Sequence, residues 1–329
     1  MNTPMVSVVC FVYNHEKYIK DALDGFIMQK TSFPIEVIVH DDASTDSSAL
    51  IIKDYEEKYP EIIKPIYQKI NQYSIEKGIV SEICFNKAKG KYIAMCEGDD
   101  YWTDPLKLQK QVNALEVNPD IDICSHASII FNDDKKENVG IVGNNGKKER
   151  VIPTKEVILK FGYVCPMQSI IIRNNRIDEF KTLSLSAYGG HGIMQVLWSH
   201  PNGVLYLPDI MGVYRSNSEN SVTKNVLTNK KYYFKVLKKQ IEKLKELDAH
   251  FNFIYAKEFF VKITEVNQKI LSSRILSEYD KLNFIRDNKL KMSLIQTLNL
   301  LFKGWISKIK YNLLKIGIVK SIRNRNNVY

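Results

Sequence analysis

The stretch Val-Ser-Val-Val-Cys-Phe-Val-Tyr-Asn, residues 6–14, sets the fold class of this chain. It is an almost wholly apolar run that ends at the polar residues Tyr13 and Asn14. A run of this kind is typical of a strand in a parallel sheet that is covered by helices on both faces. We therefore expect a buried strand at Val6–Val12, with a polar loop and then a helix after it.

Strands and helices alternate along the first third of the chain. Helices are predicted at 16–29, 47–59 and 75–88, and further strands at 36–40, 62–67 and 92–96. This alternation predicts an α/β fold with a mainly parallel sheet flanked by helices, which binds ligands beyond the carboxyl ends of its strands. Asp41-Asp42 follows the second strand and Glu97-Gly98-Asp99-Asp100 follows the fourth. We expect these carboxylates along one edge, where a cation or hydrogen-bond donors must offset their repulsion.

Length and composition are those of a folded globular protein. The chain has 329 residues, of which 44% are apolar and 26% charged, and this excludes collagen, a disordered polymer and a disulfide mini-protein. The net charge of +10 is unevenly spread, because residues 222–329 hold 23 Lys and Arg against 8 Asp and Glu, whereas residues 1–221 hold 24 against 29. We therefore divide the chain into an α/β domain at 1–221 and a helical, basic region at 222–329, and expect no nucleic-acid partner.

The cysteines and the N-terminus indicate a cytoplasmic protein. Five widely spaced cysteines stand mostly in apolar runs, and no Cys-x-x-Cys pair offers a zinc site, so we expect reduced core residues. No charged leader precedes the first strand, and no window reaches the roughly 18 apolar residues of a membrane span.

Three segments, at 6–14, 36–46 and 90–105, resemble in order and spacing the family 2 glycosyltransferases with the GT-A fold. The resemblance covers about residues 5–220. It implies transfer of a sugar from a UDP- or GDP-sugar donor to a glycan or lipid-linked glycan acceptor. It further implies an inverting displacement, in which the acceptor hydroxyl attacks the anomeric carbon opposite the leaving diphosphate and a general base takes its proton.

The resemblance also assigns the donor site. Phe11 and Tyr13 form part of the nucleotide pocket, and Asp42, with Asp41, accepts a hydrogen bond from the base. Glu97, Asp99 and Asp100 form the acidic metal motif, with Asp99 also at the nucleotide. This motif reads Glu-Gly-Asp-Asp where many members have Asp-x-Asp-Asp, and it implies Mg²⁺ or Mn²⁺ bound to hard oxygen ligands.

The general base departs from the family pattern. Members usually carry an Asp after a Gly, at the start of the helix that leads to a stretch like Tyr206–Arg215. Counting back from that stretch places Gly190 in the slot of the Asp, with His191 beside it. Three alternatives are open: His191 is the base, since a neutral imidazole accepts a proton at pH 7; the site is disabled; or the base lies elsewhere, with Asp209, Glu179 and His126 as candidates.

Two rivals to a glycosyltransferase remain at this point. A nucleotidyltransferase normally has a Gly-rich, basic phosphate loop near its N-terminus, and Tyr13-Asn14-His15-Glu16 offers none. A non-catalytic scaffold that binds sugar nucleotides or glycans is favoured by the Gly190 substitution. A binding assay followed by an assay for released diphosphate separates a scaffold from an enzyme.

The C-terminal region carries an amphipathic pattern. From Asn288 to Tyr329 there is no acidic residue, and one helical face collects apolar side chains flanked by lysines. Such a stripe is typical of a helix that lies on an anionic membrane surface, and the alternative is a helix packed on the catalytic domain. Residues 223–286 are also helical in pattern and either pack on the catalytic domain or form a homo-oligomer contact.

Overall fold

The computed structural model describes residues 3–184, 190–219, 229–273 and 276–287. Within this part, ten strands form one sheet in the order β3-β2-β1-β4-β9-β6-β10-β5, with β7 paired to β6 and β8 paired to β10. The strands are β1 Val6–Val12, β2 Ile35–Asp41, β3 Ile63–Tyr67, β4 Tyr92–Glu97, β5 Tyr101–Trp102, β6 Ile123–Asn132, β7 Glu137–Val142, β8 Arg150–Ile152, β9 Ile171–Arg173 and β10 Val204–Ser216. The helices are α1 Ile19–Ile27, α2 Ser48–Lys58, α3 Gln72–Ile75, α4 Ile79–Lys87, α5 Lys107–Val117, α6 Thr154–Lys160, α7 Ile177–Ser184, α8 Gly190–Ser199, α9 Lys230–His250, α10 Ala256–Ser272 and α11 Glu278–Asp287, with a 3₁₀ turn at Met167–Ser169.

Strand β1 lies between β2 and β4 and is parallel to both. Its side chains alternate between two cores, because successive residues of a strand face opposite sides of the sheet. Val9 packs in the core that includes helices α4, α6, α7 and α8, while Val8 and Cys10 pack in the core under α1, α2 and α5. The structure thus confirms a mainly parallel sheet covered by helices on both faces, as the apolar run at 6–12 predicts.

The region predicted as one helix at 75–88 is two helices, α3 and α4. Asn71 caps the first of them, since its side chain accepts the backbone N–H of Ser74 at 2.7 Å. Gly78 separates them with a φ of +97°, a left-handed conformation that is open to glycine without steric cost. The periodicity of the sequence gives no sign of this break.

The second half of the sheet joins distant parts of the chain. Strands β6 and β10 run parallel, and β5 pairs with β10 in the antiparallel sense through Trp102 with Gly212 and Tyr101 with Val213. Because β5 directly follows Glu97–Asp100, this pairing attaches the end of the acidic segment to a strand more than a hundred residues later in the chain.

Helices α9 and α10 pack on the sheet-bearing part of the chain, and Phe284 of α11 lies against Phe234 of α9. Leu244 and Leu247 of α9 and Phe259 of α10 are buried in the same core as Val157 of α6 and Leu197 of α8. The sequence left open whether these helices pack on the rest of the chain or form a contact between copies. The shared core shows that α9 and α10 pack against α6 and α8. The amphipathic stretch at 288–329 lies outside the described residues. None of the described helices is long and apolar enough to cross a bilayer.

All five cysteines are buried and unbridged. Burial raises the pKa of each of the five thiols above the ordinary value. They are core residues, in line with the expectation from their apolar surroundings.

Candidate active site

The loops after β1, β2 and β4 lie side by side at one edge of the sheet. Strand register pairs Val12 with Asp41 and Phe11 with Glu97. The N–H of Asp42 donates to the carbonyl of Val12, and the N–H of Gly98 donates to the carbonyl of Phe11, both at 2.9 Å. The two acidic segments are thus fastened to opposite sides of the end of β1, where parallel strand ends converge.

The loop after β1 is bonded to the loop after β2 by exchanged hydrogen bonds. The N–H of Asn14 donates to Ser44 Oγ at 2.9 Å, and the N–H of Thr45 donates to Asn14 Oδ1 at 2.7 Å. The N–H of Glu16 donates to Asp46 Oδ2 at 3.0 Å. Asn14 has a φ of +56°, a conformation that Asn tolerates better than most residues. These bonds delay the start of α1 to Ile19, three residues later than the sequence predicts.

Asp42 anchors the start of helix α3 at the same edge. Its Oδ1 accepts the N–H of Gln72 at 2.7 Å and its Oδ2 accepts the N–H of Tyr73 at 3.0 Å. The side chain is buried, so these two donors stabilise its charge. This anchoring was not predictable from sequence, because thirty residues separate the partners. The hydrogen bond expected between Asp42 and a nucleobase stays a prediction, since a carboxylate has about four acceptor sites.

Asp41 is buried beside it and is less completely bonded. Its Oδ2 accepts the N–H of Ser44 at 3.4 Å, and its Oδ1 has no hydrogen-bond partner. Burial raises the pKa of this carboxyl. Phe11, on β1, is partly buried, and Tyr13, which directly follows β1, is 40% exposed.

His15 fills the space between the acidic segments. Its Nδ1 is buried without a hydrogen-bond partner, and a Cβ placed on Gly98 would lie 2.8 Å from that atom. Burial lowers the pKa of His15, an effect that the nearby Asp99 opposes. This close approach of His15 explains why residue 98 is a glycine. The sequence motif alone did not indicate a role for His15.

Two carboxyl groups of the acidic segment have raised pKa values. Burial, and next the charge of Asp99, raise the pKa of Glu97 to about 7. Asp99 Oδ2 accepts a hydrogen bond from Ser218 Oγ at 2.7 Å. Asp100 is 1% exposed; its Oδ1 accepts the N–H of Arg215 at 2.7 Å and its Oδ2 has no partner. Burial is the main cause of a raised pKa at Asp100.

The predicted metal group of Glu97, Asp99 and Asp100 is not assembled in the structure. Over the described ranges, no three His, Cys, Asp or Glu side chains are grouped so that they could hold a metal ion. The reason is that Asp100 is directed to the backbone of β10 and Asp99 to Ser218. The chemistry of the site nevertheless fits a divalent cation, because hard carboxylate oxygens are present and Asp100 Oδ2 is buried without a hydrogen bond to the described residues. In addition, burial and then the neighbouring carboxylates raise the pKa of Glu97 and of Asp100.

Gly190 begins helix α8, and there is room for a side chain on it. Among the described residues, which leave out 185–189, a Cβ at this position would meet nothing closer than Phe180 at 3.7 Å and Ser184 at 3.9 Å. None of the described residues therefore imposes glycine here by crowding.

His191 is held by the backbone. Its Nε2 lies 3.0 Å from the carbonyl oxygen of Gly162, which can only accept, so this nitrogen carries the proton and Nδ1 is the unprotonated nitrogen of the neutral ring. Burial lowers the pKa of His191, which keeps the ring neutral near pH 7. A neutral ring with one unprotonated nitrogen is chemically able to accept a proton.

Among the other candidate bases, the two carboxylates are paired with basic side chains, whereas Nε2 of His126 is buried without a hydrogen bond to any described residue. Asp209 pairs with Lys110 at 2.7 Å, and Glu179 lies between Arg176 and His250 at 3.9 and 3.7 Å. His126 is buried, with Nδ1 2.7 Å from the carbonyl of Ala127, and burial lowers its pKa well below the ordinary value.

Comparison with known proteins identifies the family. The description "Glycosyl transferase family 2" matches residues 7–173, just over half of the chain. The uncharacterized protein Rv1520 of Mycobacterium tuberculosis is 46% identical over 135 residues, which are 40% of this chain and 38% of that protein. This chain thus matches about two fifths of the length of that relative.

Two solved structures share the fold. One is Staphylococcus aureus TarS 1-349 in complex with UDP-GlcNAc, which superposes with a TM-score of 0.61 at 18% sequence identity. The superposition covers 91% of this chain and 80% of the TarS chain. The mannosyltransferase PcManGT from Pyrobaculum calidifontis, in complex with GDP-Man and Mn²⁺, gives 0.51 at 12% identity, with 93% and 81% covered. These likenesses confirm the predicted GT-A fold. Together with the match over residues 7–173, they show that this chain belongs to glycosyl transferase family 2.

Proposed function

We propose that the protein transfers a sugar from a nucleotide-diphosphate donor to a hydroxyl of a glycan or lipid-linked glycan by metal-dependent, inverting displacement. One observation carries this proposal: Asp42 and Gly98 are hydrogen-bonded to neighbouring residues of one strand, Val12 and Phe11. The nucleotide loops and the acidic segment therefore share one edge, as binding of a nucleotide diphosphate and a cation requires. The relatives of this fold that bind UDP-GlcNAc, or GDP-Man with Mn²⁺, support the donor class.

In this proposal Tyr13, Phe11, Asp41 and Asp42 hold the nucleoside, and Glu97 and Asp99, with Asp100, hold Mg²⁺ or Mn²⁺. The cation, when bound, neutralises charge on the departing diphosphate. The acceptor oxygen forms a bond to the anomeric carbon while the bond to the diphosphate oxygen breaks, and the nucleoside diphosphate leaves with the electron pair. The acceptor proton passes to a general base, and our candidate is Nδ1 of His191, because Nε2 of that ring donates to the carbonyl of Gly162.

A second candidate function is favoured by Gly190. Without a carboxylate at the start of α8, the chain can bind a sugar nucleotide and fail to transfer the sugar. The protein is then a binding scaffold with the same donor site.

Calorimetry with UDP and with GDP, each with and without Mn²⁺, tests donor binding. A release assay for free UDP or GDP, from UDP-GlcNAc and GDP-mannose, then tests transfer. Binding that strengthens with Mn²⁺, together with release, supports the enzyme; binding without release supports the scaffold; absence of binding contradicts both. Asp99→Asn should abolish the Mn²⁺ effect. Asp54→Asn is the matched control, because Asp54 pairs with Lys58 on the surface.

The basic region supports a further part of the proposal, peripheral association with an anionic membrane. Residues 288–329 contain no Asp or Glu, and lysines flank one apolar helical face of the sequence. Co-sedimentation with phosphatidylcholine vesicles, with and without phosphatidylglycerol, tests it. Binding that needs the anionic lipid and weakens with added salt is expected, and equal recovery in the supernatant with both vesicle types contradicts it.

A further inference from the structure

Arg215 is a buried arginine that contacts the acidic segment on its main chain. It lies near the end of β10 and is 8% exposed. Its backbone N–H donates to Asp100 Oδ1 at 2.7 Å, and its Nη1 donates to the carbonyl oxygen of Asp99 at 2.8 Å. Its Nη2 donates to the carboxylate of Asp21 on α1. One residue thus joins the segment to both a strand and a helix.

Two aromatic rings fix the plane of the guanidinium group. Its central carbon lies 4.4 Å from the ring centre of Tyr101 and 5.3 Å from that of Tyr18. A planar cation stacks on such rings while it donates in fixed directions, whereas a lysine ammonium donates as a compact point charge. The geometry at Arg215 therefore depends on arginine and not only on positive charge.

Asp21 is the least buried member of this group. Its side chain is about half exposed, at 50%, although its partner Arg215 is buried. Asp24, one turn further along the same helix, has a comparable exposed fraction of 53% and bonds instead to Tyr55 and Lys20. Asp21 and Asp24 therefore lie on the same helix with similar exposure, but of the two only Asp21 accepts a hydrogen bond from Arg215.

We infer that Arg215, held by Asp21, is a positioning residue for the acidic segment 97–100: it fixes the main chain at Asp99 so that Glu97 and Asp99 can receive the cation and the donor diphosphate. This inference rests on the proposed function. Groups that orient metal ligands typically change metal affinity by about 10–100-fold when they are altered. Asp21, which lies on a helix surface and bonds to none of the three carboxylates, is therefore expected to affect donor binding.

The first test uses Asp21→Asn with Asp24→Asn as control. Calorimetry of UDP and of GDP in the presence of Mn²⁺ should show an affinity about 10-fold weaker for Asp21→Asn. Asp24→Asn should bind as the unaltered protein does, whatever its effect on thermal unfolding. Equal affinity for Asp21→Asn and the unaltered protein would overturn the inference.

The second test uses Arg215→Lys with Arg173→Lys as control. Arg173 is also a mostly buried arginine, but it bonds to the carbonyls of Ile121 and Leu115 and to Tyr92 Oη away from the acidic segment. Arg215→Lys should weaken Mn²⁺-dependent binding by about 10–100-fold, whereas Arg173→Lys should lower the unfolding temperature and keep the affinity. A folded Arg215→Lys protein with unchanged affinity contradicts the inference.

Hydrogen exchange separates this inference from the proposed function. The N–H of Gly98 and the N–H of Asp100 are both hydrogen-bonded, to Phe11 and Glu97, so their exchange reports how firmly the segment is held. Asp21→Asn should speed exchange of these two amides several-fold in protein without nucleotide, and Asp24→Asn should not. If the unaltered protein binds neither UDP nor GDP, the proposed function fails, while unchanged exchange in Asp21→Asn overturns the positioning role.

Discussion

Gly98 and Phe11 are joined by a 2.9 Å hydrogen bond between main-chain atoms, and the same glycine leaves no space for a side chain. A Cβ there would lie 2.8 Å from His15 Nδ1 and 3.0 Å from Val12 Cγ2. The acidic segment can therefore approach β1 only without a Cβ at this position.

We predict that Gly98→Ala destabilises the fold by about 1–3 kcal/mol, the usual cost of overpacking, and weakens nucleotide binding. Urea unfolding and calorimetry with UDP measure the two effects. Gly140→Ala is the control, because among the described residues a Cβ there meets only Ile130 Cδ1, at 3.7 Å. If Gly98→Ala unfolds at the same urea concentration as the control, the crowding argument is wrong.

Gly190→Asp should restore a carboxylate at the start of α8. If the chain transfers sugar slowly because it has no carboxylate base at this position, the turnover of Gly190→Asp should be higher by about 10²–10⁴-fold. That is the usual contribution of general-base catalysis. Gly190→Asn has the same size without a basic oxygen and should give no gain. The measurement is the rate at which each variant releases free UDP from UDP-GlcNAc or free GDP from GDP-mannose.

His191→Ala distinguishes the remaining alternatives. Loss of turnover in this variant, with no gain in Gly190→Asp, would identify the histidine as the base. If both variants keep the original rate, neither position supplies the base and it lies elsewhere in the chain.

Asp42→Asn should loosen the start of helix α3, which carries Gln72 and Tyr73. An amide has one oxygen, so one of the two N–H groups loses its acceptor, and we expect a loss of about 1–3 kcal/mol in the free energy of unfolding. Asp54→Asn, which removes only an exposed ion pair with Lys58, should change that free energy by less than about 1 kcal/mol. Equal losses in the two variants would show that the two hydrogen bonds of Asp42 contribute no stability.

Lys107 should give the protein a stability that rises with pH. Its ammonium is fully buried, 2.8 Å from Gln111 Oε1 and 3.9 Å from the ring centre of Trp102, and burial lowers its pKa to about 7. Between pH 7 and the unfolded pKa of about 10.4, the unfolded chain binds a proton that the folded chain lacks. The free energy of unfolding therefore gains about 1.4 kcal/mol per pH unit from this residue in that range.

The measurement is the difference in unfolding free energy between the unaltered protein and Lys107→Met at pH 7.0 and at pH 8.5. That difference should shift by about 2 kcal/mol in favour of the unaltered protein at the higher pH. Lys110→Met is the control: Lys110 is partly exposed and paired with Asp104 and Asp209, so it stays protonated in both states. A flat difference for Lys107→Met would contradict a lowered pKa.

Local sequence patterns were enough to predict the part of the sheet formed by β1, β2, β3 and β4. Apolar runs at 6–12, 36–40 and 92–96 specify strands, and the convergence of parallel strand ends then brings Asp42 near Glu97. The bonds that fix these residues were not predictable, because Asp42 binds the backbone of residue 72 and Asp100 that of residue 215. Pairings over such separations depend on the finished fold. For the same reason the sequence did not show that Asp100 Oδ1 accepts the N–H of Arg215 on β10, while the roles of Glu97, Asp99 and Asp100 at a cation stay a prediction.

The burial of Leu244, Leu247 and Phe259 in the core shared with α6 and α8 decides where the protein can be shortened. A fragment that ends after β10 would keep the acidic residues, Gly190 and Arg215. It would also expose to water the apolar side chains of α6 and α8 that α9 and α10 cover. Such a piece should aggregate or need a detergent, although it contains all of the stretch that resembles the family.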